Sequence, residues 1–245
     1  MSTIKRVILV TGANGGLGQA IARAFLSEHP DDSVWLGVCR NRDSADKLCA
    51  EFPGRCRVVT LDVTNPDSWK VSVAQILAAD QRLDVLVNNA GTHEDTLLGQ
   101  MPPESWRRVI SSNLDGAFHG CQAVLPAMIS QRHGRIVNIA SLSALLAPPG
   151  QTNYAAAKAG LVALSQSLAK EVARIGITVN ALCPGYIDTG IFASFSPEEL
   201  NTLRARVPMR RLGKPEEAAA PVLFLASTAA SYITGAVLKV DGGVL

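Results

Sequence analysis

The sequence predicts an α/β protein built on one doubly wound parallel sheet of about seven strands, with helices on both faces. Short apolar runs alternate with longer stretches of helical period from residue 7 to the C-terminal end. Continuous apolar runs are typical of parallel strands buried on both faces. No linker, repeat or shift in composition interrupts this alternation. We therefore expect a single domain over residues 1–245.

The elements follow from these two periods. Strands are predicted at 7–10, 34–38, 57–61, 83–87, 135–139, 177–182 and 237–240. A helix follows the first strand, and further helices are predicted near 43–51, 66–80, 103–131, 152–174 and 215–227, with a break inside 103–131. Only the stretch from about 188 to 213 lacks a strong period. We expect it to form a substrate flap.

Composition excludes several classes of function. The formal net charge of +2 provides no basic face for nucleic acid. The five cysteines are scattered and form no C-x-x-C arrangement, and the four histidines show no ligand spacing. Free thiols and no metal site are therefore expected. Neither a signal-peptide pattern nor an apolar stretch of roughly 18–20 residues is present, so we expect a soluble, cytoplasmic protein without a membrane partner.

A glycine turn follows the first predicted strand. The pattern is Gly-x-x-x-Gly-x-Gly, formed by Gly12, Gly16 and Gly18 between that strand and the start of a helix. A further glycine, Gly15, lies directly before Gly16. Glycines let the backbone approach a pyrophosphate, and a helix N-terminus presents unpaired N–H groups to it. The turn therefore predicts a nucleotide site. An ordinary tight turn between strand and helix is the alternative.

The end of the second strand indicates which dinucleotide is bound. An acidic residue about 20 positions after the glycines is typical of NAD binding, whereas an arginine accommodates the 2′-phosphate of NADP. Here Arg40 and Arg42 occupy the segment and no carboxylate occurs before Asp43. NADP(H) is therefore predicted, although the arginines could simply solvate a loop. Asp62, after the third strand, is placed either to contact the adenine or to cap a turn.

Tyr154 and Lys158 lie four positions apart in a predicted helix and so share one face. An ammonium group near a phenol favours the phenolate. We therefore expect Lys158 to lower the tyrosine pKa from its usual value of about 10. That change would suit proton transfer. A Tyr-x-x-x-Lys pair also occurs by chance in helices.

Taken together, these residues resemble the short-chain dehydrogenase/reductases, and within them the 3-oxoacyl-[acyl-carrier-protein] reductases. The ordered motifs are Thr11-Gly12-Ala13-Asn14-Gly15-Gly16-Leu17-Gly18, Asp62-Val63, Asn88-Asn89-Ala90-Gly91, Asn113, Ile139-Ala140-Ser141, Tyr154 with Lys158, and Pro184-Gly185. The resemblance implies a Rossmann fold with strand order 3-2-1-4-5-6-7. It also implies NADPH-dependent reduction of a 3-oxoacyl thioester, bound to a carrier protein, in fatty-acid or polyketide-like synthesis.

The resemblance assigns catalytic roles to four residues. Tyr154 would give a proton to the carbonyl oxygen as hydride arrives from the nicotinamide, and Ser141 would hydrogen-bond the same oxygen. Lys158 would hold the nicotinamide ribose and stabilise the phenolate. Asn113 would hold a water that relays protons to Lys158. As isolated residues, Ser141 also fits a loop or helix cap, and Asn113 fits an N-cap.

The resemblance also assigns the cofactor contacts. They are Gly12, Asn14, Gly16, Leu17, Gly18, Arg40, Asp62, Val63, Asn89, Ala90, Gly91, Tyr154, Lys158, Pro184, Gly185, Ile187 and Thr189. Ile187 and Thr189 would meet the carboxamide. The family usually has a basic residue where this chain has Gly15, so Arg40 would carry more of the 2′-phosphate interaction.

Partners follow from the same resemblance. Two basic positions in the family dock the acidic carrier protein. Arg132 matches the first, whereas Ile175 occupies the second. A homotetramer is implied, with small residues of the two long helices free for partner helices, and a dimer is the alternative. The stripe containing Phe118 and Cys121 is expected to face the sheet. The loop over 145–149, together with Phe192 and Phe195, suggests an apolar mouth.

Two other functions stay open at this stage. The chain could act on a different alcohol/ketone pair, such as a sugar, steroid or small diketone. It could also be a nucleotide-sensing protein that uses the fold without turnover. The intact set of Ser141, Tyr154 and Lys158 argues against a sensor, which needs no proton donor.

Overall fold

A computed structural model describes residues 5–190 and 192–245, so residues 1–4 and Ile191, which lies in the predicted flap, are outside it. Seven parallel strands form one sheet in the order β3-β2-β1-β4-β5-β6-β7. The strands are β1 Val7–Thr11, β2 Ser33–Val38, β3 Cys56–Thr60, β4 Val85–Asn88, β5 Gly134–Ile139, β6 Ile177–Pro184 and β7 Val237–Val240. The predicted fold class and strand order are confirmed.

Helices cover both faces of the sheet. They are α1 Gly16–Glu28, α2 Asp43–Glu51, α3 Pro66–Asp80, α4 Pro103–Ile110, α5 Gly116–Gln131, α6 Ser143–Leu146, α7 Thr152–Val172, α8 Pro197–Ala205 and α9 Pro215–Leu225. Alternate residues of β1 point to opposite faces. Ile8 packs in one core with Phe25 of α1 and Val222 of α9, whereas Leu9 packs in the other with Trp69 of α3. Burial on both faces explains the continuous apolar runs.

The predicted break inside 103–131 is a π-helical turn, Ser111–Asp115, between α4 and α5. Such a turn inserts an extra residue into the helix and is frequent at functional sites. Asn113, at its centre, is 1% exposed. The break therefore directs the Asn113 side chain toward the protein interior.

The predicted face of α5 needs a correction. Cys121 is buried as expected, but Phe118, which was expected beside it, is 46% exposed. Ala117, which was expected to be free for a partner helix, is buried, and so is Val124. Close approach at Gly120 sets this orientation, because a Cβ there would lie 2.7 Å from both the Trp69 ring and the Asn88 side chain. The face of α5 that contains Gly120 therefore packs inward, and Phe118 points outward.

The described residues of the stretch 188–213 include the helix α8, which the sequence pattern did not predict. In α8 only Leu203 is buried, so an apolar period is missing. A capping box fixes the start of the helix, since Ser196 Oγ accepts from Glu199 N and Glu199 accepts from Ser196 N. Within the described residues, no helix combines the length and apolarity that a membrane span requires.

Candidate active site

The glycine turn and the loop after β4 are tied together by Thr11 at the end of β1. Thr11 Oγ1 accepts hydrogen bonds from Asn89 N at 3.0 Å and Ala90 N at 2.9 Å. Asn89 Nδ2 donates in return to Thr11 O at 2.9 Å. Sequence reasoning gave Thr11 no role. The available signal was a hydroxyl at the end of an apolar strand, directly before the first glycine.

The turn forms a cradle that only glycine fits. A Cβ on Gly16 would lie 2.5 Å from Thr189 O, and a Cβ on Gly12 would lie 2.8 Å from Ala90 Cα. Gly12 also has a φ of +62°, a region that favours glycine. Among the described residues, no side chain caps the first N–H groups of α1, whose N-cap residue is Gly15. These groups border a cavity of about 1080 Å³, so the residues fit a bound pyrophosphate.

Most of the predicted cofactor residues line this cavity. They are Gly12, Asn14, Gly16, Leu17, Gly18, Arg40, Asp62, Val63, Asn89, Ala90, Gly91 and Thr189. Asp62 also caps a turn, because its Oδ1 accepts from Thr64 N at 3.0 Å and Thr64 Oγ1 at 2.7 Å. The structure therefore shows Asp62 as a turn cap at the cavity wall, and its contact with the adenine stays a prediction.

The two arginines after β2 differ in their partners. Arg42 Nη2 lies 3.5 Å from Asp46 Oδ1. Arg40 is exposed at the cavity wall and makes no hydrogen bond or ion pair with any residue that the structure describes. Its guanidinium is therefore available to an anion in the cavity.

A second cavity, of about 570 Å³, adjoins the first and shares with it Leu17, Asn89, Gly91, Thr92 and Thr189. The remaining predicted site residues line this second cavity. They are Asn113, Ser141, Tyr154, Lys158, Pro184, Gly185 and Ile187. The structure thus brings every predicted site residue to one continuous cleft at the carboxyl ends of the strands, where doubly wound sheets bind ligands.

Lys158 is a buried cation beside the Tyr154 ring. Its side chain lies one turn after Tyr154 in α7, with Nζ 5.7 Å from the ring centroid. The residue is 3% exposed, and Nζ donates to Ile139 O at 2.8 Å. Desolvation lowers the pKa of Lys158 to about 8. The lysine is therefore close to titration at neutral pH.

The expected effect of this lysine on Tyr154 is not found. The pKa of Tyr154 is raised, because burial of the phenol disfavours its anion, and the charge of Asp95 adds to the rise. The Ser141 hydroxyl acts in the opposite direction. The sequence prediction of a lowered pKa was wrong in sign, because desolvation of the phenol is the largest effect on the Tyr154 pKa and exceeds the opposing effect of Ser141.

Ser141 belongs to a chain of hydrogen bonds that sequence reasoning missed. Its Oγ accepts from Ser143 N at 3.1 Å. Ser143 Oγ donates to Gln151 Oε1 at 2.7 Å, and Gln151 Nε2 donates to Asp95 Oδ2 at 2.7 Å. The Ser-x-Ser spacing after β5 was the only local signal. The chain holds the start of α7 against the loop that carries Ser141.

Asn113 has one buried atom without a partner. Its Nδ2 donates to Thr92 O at 2.7 Å and Val109 O at 2.8 Å. Its Oδ1 is buried and accepts no hydrogen bond from any described residue. A Cβ on Gly91 would lie 3.5 Å from Lys158 Nζ and would collide with Asn113 Oδ1, so the absent side chain leaves space near both groups. An ordered water suits such an acceptor. Asn113 is not an N-cap, since it lies inside the π-helical turn.

Apolar side chains surround the opening of the second cavity. Leu146 and Phe195 are 42% and 41% exposed, and the rings of Phe192 and Phe195 meet edge to face at 5.3 Å. The segment that carries Phe192 and Phe195 is anchored by a backbone hydrogen bond, in which Asp188 N donates to Gly213 O at 2.8 Å. The opening is therefore suited to an apolar chain.

Comparisons with known proteins agree with this geometry. Residues 12–245 match a family model described as enoyl-(acyl carrier protein) reductase. A relative from Thermotoga maritima, named 3-oxoacyl-[acyl-carrier-protein] reductase FabG, is 42% identical over 240 residues, which cover 98% of both chains. Proteins of the same name from Chlamydia trachomatis and Escherichia coli are each 41% identical, over 98% of this chain and 98% and 97% of their own.

Proposed function

Because the chain belongs to the short-chain dehydrogenase/reductase family, we propose that it reduces a 3-oxoacyl thioester on an acyl carrier protein to the 3-hydroxyacyl thioester. The chain is an oxidoreductase of the C=O/CH–OH class, and its family uses a nicotinamide cofactor. One observation carries the proposal: Ser141, Tyr154 and Lys158 line a cavity that has an apolar opening and adjoins a glycine cradle.

The side chains of the second cavity suit acid catalysis on a ketone. A bound nicotinamide cofactor supplies the hydride. Ser141 and Tyr154 donate hydrogen bonds to the ketone oxygen, where negative charge develops. The raised pKa of Tyr154 keeps its phenol protonated at neutral pH, so it can give that proton to the oxygen. The Lys158 ammonium then stabilises the phenolate, and a water on Asn113 Oδ1 starts its reprotonation.

We propose that the cofactor is NADP(H), bound through its 2′-phosphate by Arg40. A hydrogen bond to a charged group is worth about 1.5–3 kcal/mol, which corresponds to roughly 10- to 150-fold in affinity. Arg40→Ala should therefore raise the KM for NADPH by at least about tenfold and leave the KM for NADH nearly unchanged. Steady-state kinetics with both cofactors measure this.

Arg42→Ala is the matched control, because Arg42 lies on the same loop but pairs with Asp46. Its effect on the KM for NADPH should be small. An equal rise in the KM for both cofactors in Arg40→Ala would point to a damaged fold instead of a lost phosphate contact. Equal efficiency of the wild type with NADPH and NADH would refute the assignment.

A substrate panel tests the reaction itself. With NADPH, the enzyme should reduce a 3-oxoacyl thioester on the carrier protein with a higher kcat/KM than the same acyl group on a small thiol. Both should exceed simple ketones, sugars and steroids. A 2-enoyl thioester belongs in the panel, since the family model carries that description. Preference for the enoyl compound or for a simple ketone would contradict the proposal.

Docking of the carrier protein can be tested with the same panel of substrates. Arg132 is exposed at the end of α5, whereas Ile175 offers no charge at the second position. We propose that Arg132 contacts the acidic carrier protein. Arg132→Glu should then raise the KM for the carrier-bound substrate and leave the KM for the small-thiol ester unchanged.

We also propose that the protein is a homotetramer.

A further inference from the structure

Two cysteines outside the cleft lie in contact with each other. Cys49 Sγ is 3.1 Å from Cys56 Sγ. Cys49 belongs to the last turn of α2, and Cys56 is the first residue of β3. Both thiols are free. A disulfide bond measures about 2.05 Å, so the two sulfurs need to approach by only about 1 Å to be joined.

We propose that Cys49 and Cys56 form a modification site, at which a low-molecular-weight disulfide oxidises the pair to an intramolecular disulfide. Sequence reasoning treated all five cysteines as free thiols, because they are scattered and form no C-x-x-C arrangement. The fold brings them together by reversing the chain between α2 and β3.

The turn between the two cysteines is already fixed in the reduced protein. Phe52 N donates to Cys49 O at 3.3 Å, and Cys56 N donates to Phe52 O at 3.1 Å. Arg55 holds the turn against α1, because its guanidinium donates to Leu26 O and His29 O. Little backbone motion is therefore needed for closure, and little chain entropy is lost on forming the bond.

The two thiols have different access to solvent. Cys49 is half-buried, whereas Cys56 is 6% exposed. Cys49 is therefore the thiol that meets the oxidant. Burial raises the pKa of both thiols, so the reactive thiolate is scarce at neutral pH and oxidation should accelerate as pH rises.

The reaction is a thiol–disulfide exchange in two steps. The Cys49 thiolate attacks one sulfur of the small disulfide, whose S–S bond breaks and releases one thiolate. The Cys56 thiolate then attacks Cys49 Sγ, and the mixed disulfide breaks and releases the second small thiolate. The two protons lost by the cysteines go to the two released thiols. The protein pair is oxidised by two electrons, and the small disulfide is reduced by two.

The bond would join two elements that border the cofactor cavity. Arg40 lies on the loop before α2, and Asp62 follows β3. Ser44 Oγ of α2 donates to Asn14 O of the glycine turn at 3.0 Å. A covalent link between α2 and β3 restrains the unfolded chain and this edge of the sheet. The oxidised protein should therefore have a higher Tm.

The experiment treats the full-length protein with glutathione disulfide at mildly alkaline pH and digests it with trypsin without reductant. Cleavage after Lys47, Arg55 and Arg57 separates residues 48–55 from 56–57. The proposal expects these two peptides to remain joined, with the mass of two hydrogen atoms lost. A reductant should separate them, and the Tm gain should disappear with the bond.

Cys49→Ser and Cys49→Ala are the control variants, and Cys39 is an internal control. Neither variant should give the joined peptide or the gain in Tm. Cys39 is exposed and should only carry a glutathione adduct. Glutathione retained on Cys49 with no joined peptide would overturn the proposal, as would modification of Cys39 alone.

Discussion

The Tyr154 hydroxyl group donates the proton in the proposed chemistry. Tyr154→Phe keeps the ring and its packing but removes the proton donor. We expect kcat to fall by roughly 10²- to 10⁴-fold, the usual contribution of a positioned acid. Binding of NADPH, followed by its fluorescence, should be retained.

Tyr232→Phe is the control for that variant, because Tyr232 is fully exposed and far in sequence from α7. Its turnover should match the wild type. If Tyr154→Phe also turned over at nearly the wild-type rate, Tyr154 would not be the proton donor.

Lys158 gives the reaction a dependence on pH. Its pKa is lowered to about 8, so the ammonium is present below that pH and is lost as pH rises through it. The kcat for reduction should therefore decline above pH 8. In Lys158→Arg the side chain stays charged, so the decline should move to higher pH or vanish, even if kcat is reduced.

A pH profile of kcat for both enzymes measures this effect. A wild-type profile that stays level across pH 8, or the same decline in both enzymes, would show that another group titrates.

The i,i+4 spacing indicated Tyr154 and Lys158, and the family resemblance indicated Ser141, but neither indicated the environment of these side chains. The i,i+4 spacing depends on one helix, whereas the Tyr154 pKa depends on burial and on Asp95, from a different loop. Gln151 and Asp95 meet across 56 positions of sequence. Such contacts are products of the fold, and a sequence pattern carries no information about them.

At the scale of elements, a buried polar chain joins β4, β5 and α7. Asn88 Nδ2 donates to Asn138 Oδ1 at 2.8 Å, and Asn138 Nδ2 donates to Ser165 Oγ at 2.8 Å. Ser165 Oγ donates to Leu161 O at 2.7 Å. All three side chains of this chain are buried. It fixes the helix of Tyr154 and Lys158 on the sheet.

Ser165→Ala should leave the Asn138 donor unpaired. An unsatisfied buried group costs about 1–3 kcal/mol, and we expect that loss in the free energy of unfolding, measured with urea. Ser167→Ala, at an exposed position of the same helix, should change it by less than about 0.5 kcal/mol. Equal effects would mean that the buried chain contributes no stability.

Elements were predictable where the sequence signals agree. Helix α3 begins at Pro66 behind Asn65, whose side chain accepts from Asp67 N and Ser68 N, and its predicted bounds match. Helix α8 has equally good capping but only one buried residue, so its period gave no signal. The difference between the two helices lies in the number of buried apolar residues, which sets the helical period of the sequence, and not in the capping.

At the scale of the whole molecule, the exposed apolar residues of α4 and α5 are a candidate surface for self-association. Trp106 and Phe118 are 40% and 46% exposed. The proposed tetramer would bury Phe118 between partner helices. Phe118→Arg should then shift the mass measured by light scattering from a tetramer to a smaller species.

Val71→Arg, on α3 at a position 68% exposed, is the matched control and should leave the mass unchanged. A monomeric wild type, or a tetramer that tolerates arginine at position 118, would exclude this surface.

The strand order also has a consequence during synthesis on the ribosome. Strand β1 is made first but lies between β2 and β4, and Ile8 pairs with Val85. At a synthesis rate of roughly 5–20 residues per second, β4 is made about 4–15 s after β1, and until then one edge of β1 is unpaired. During that interval the nascent three-stranded half has an open apolar edge, which is a template for aggregation. We expect the emerging chain to depend most on chaperones just before β4 leaves the ribosome.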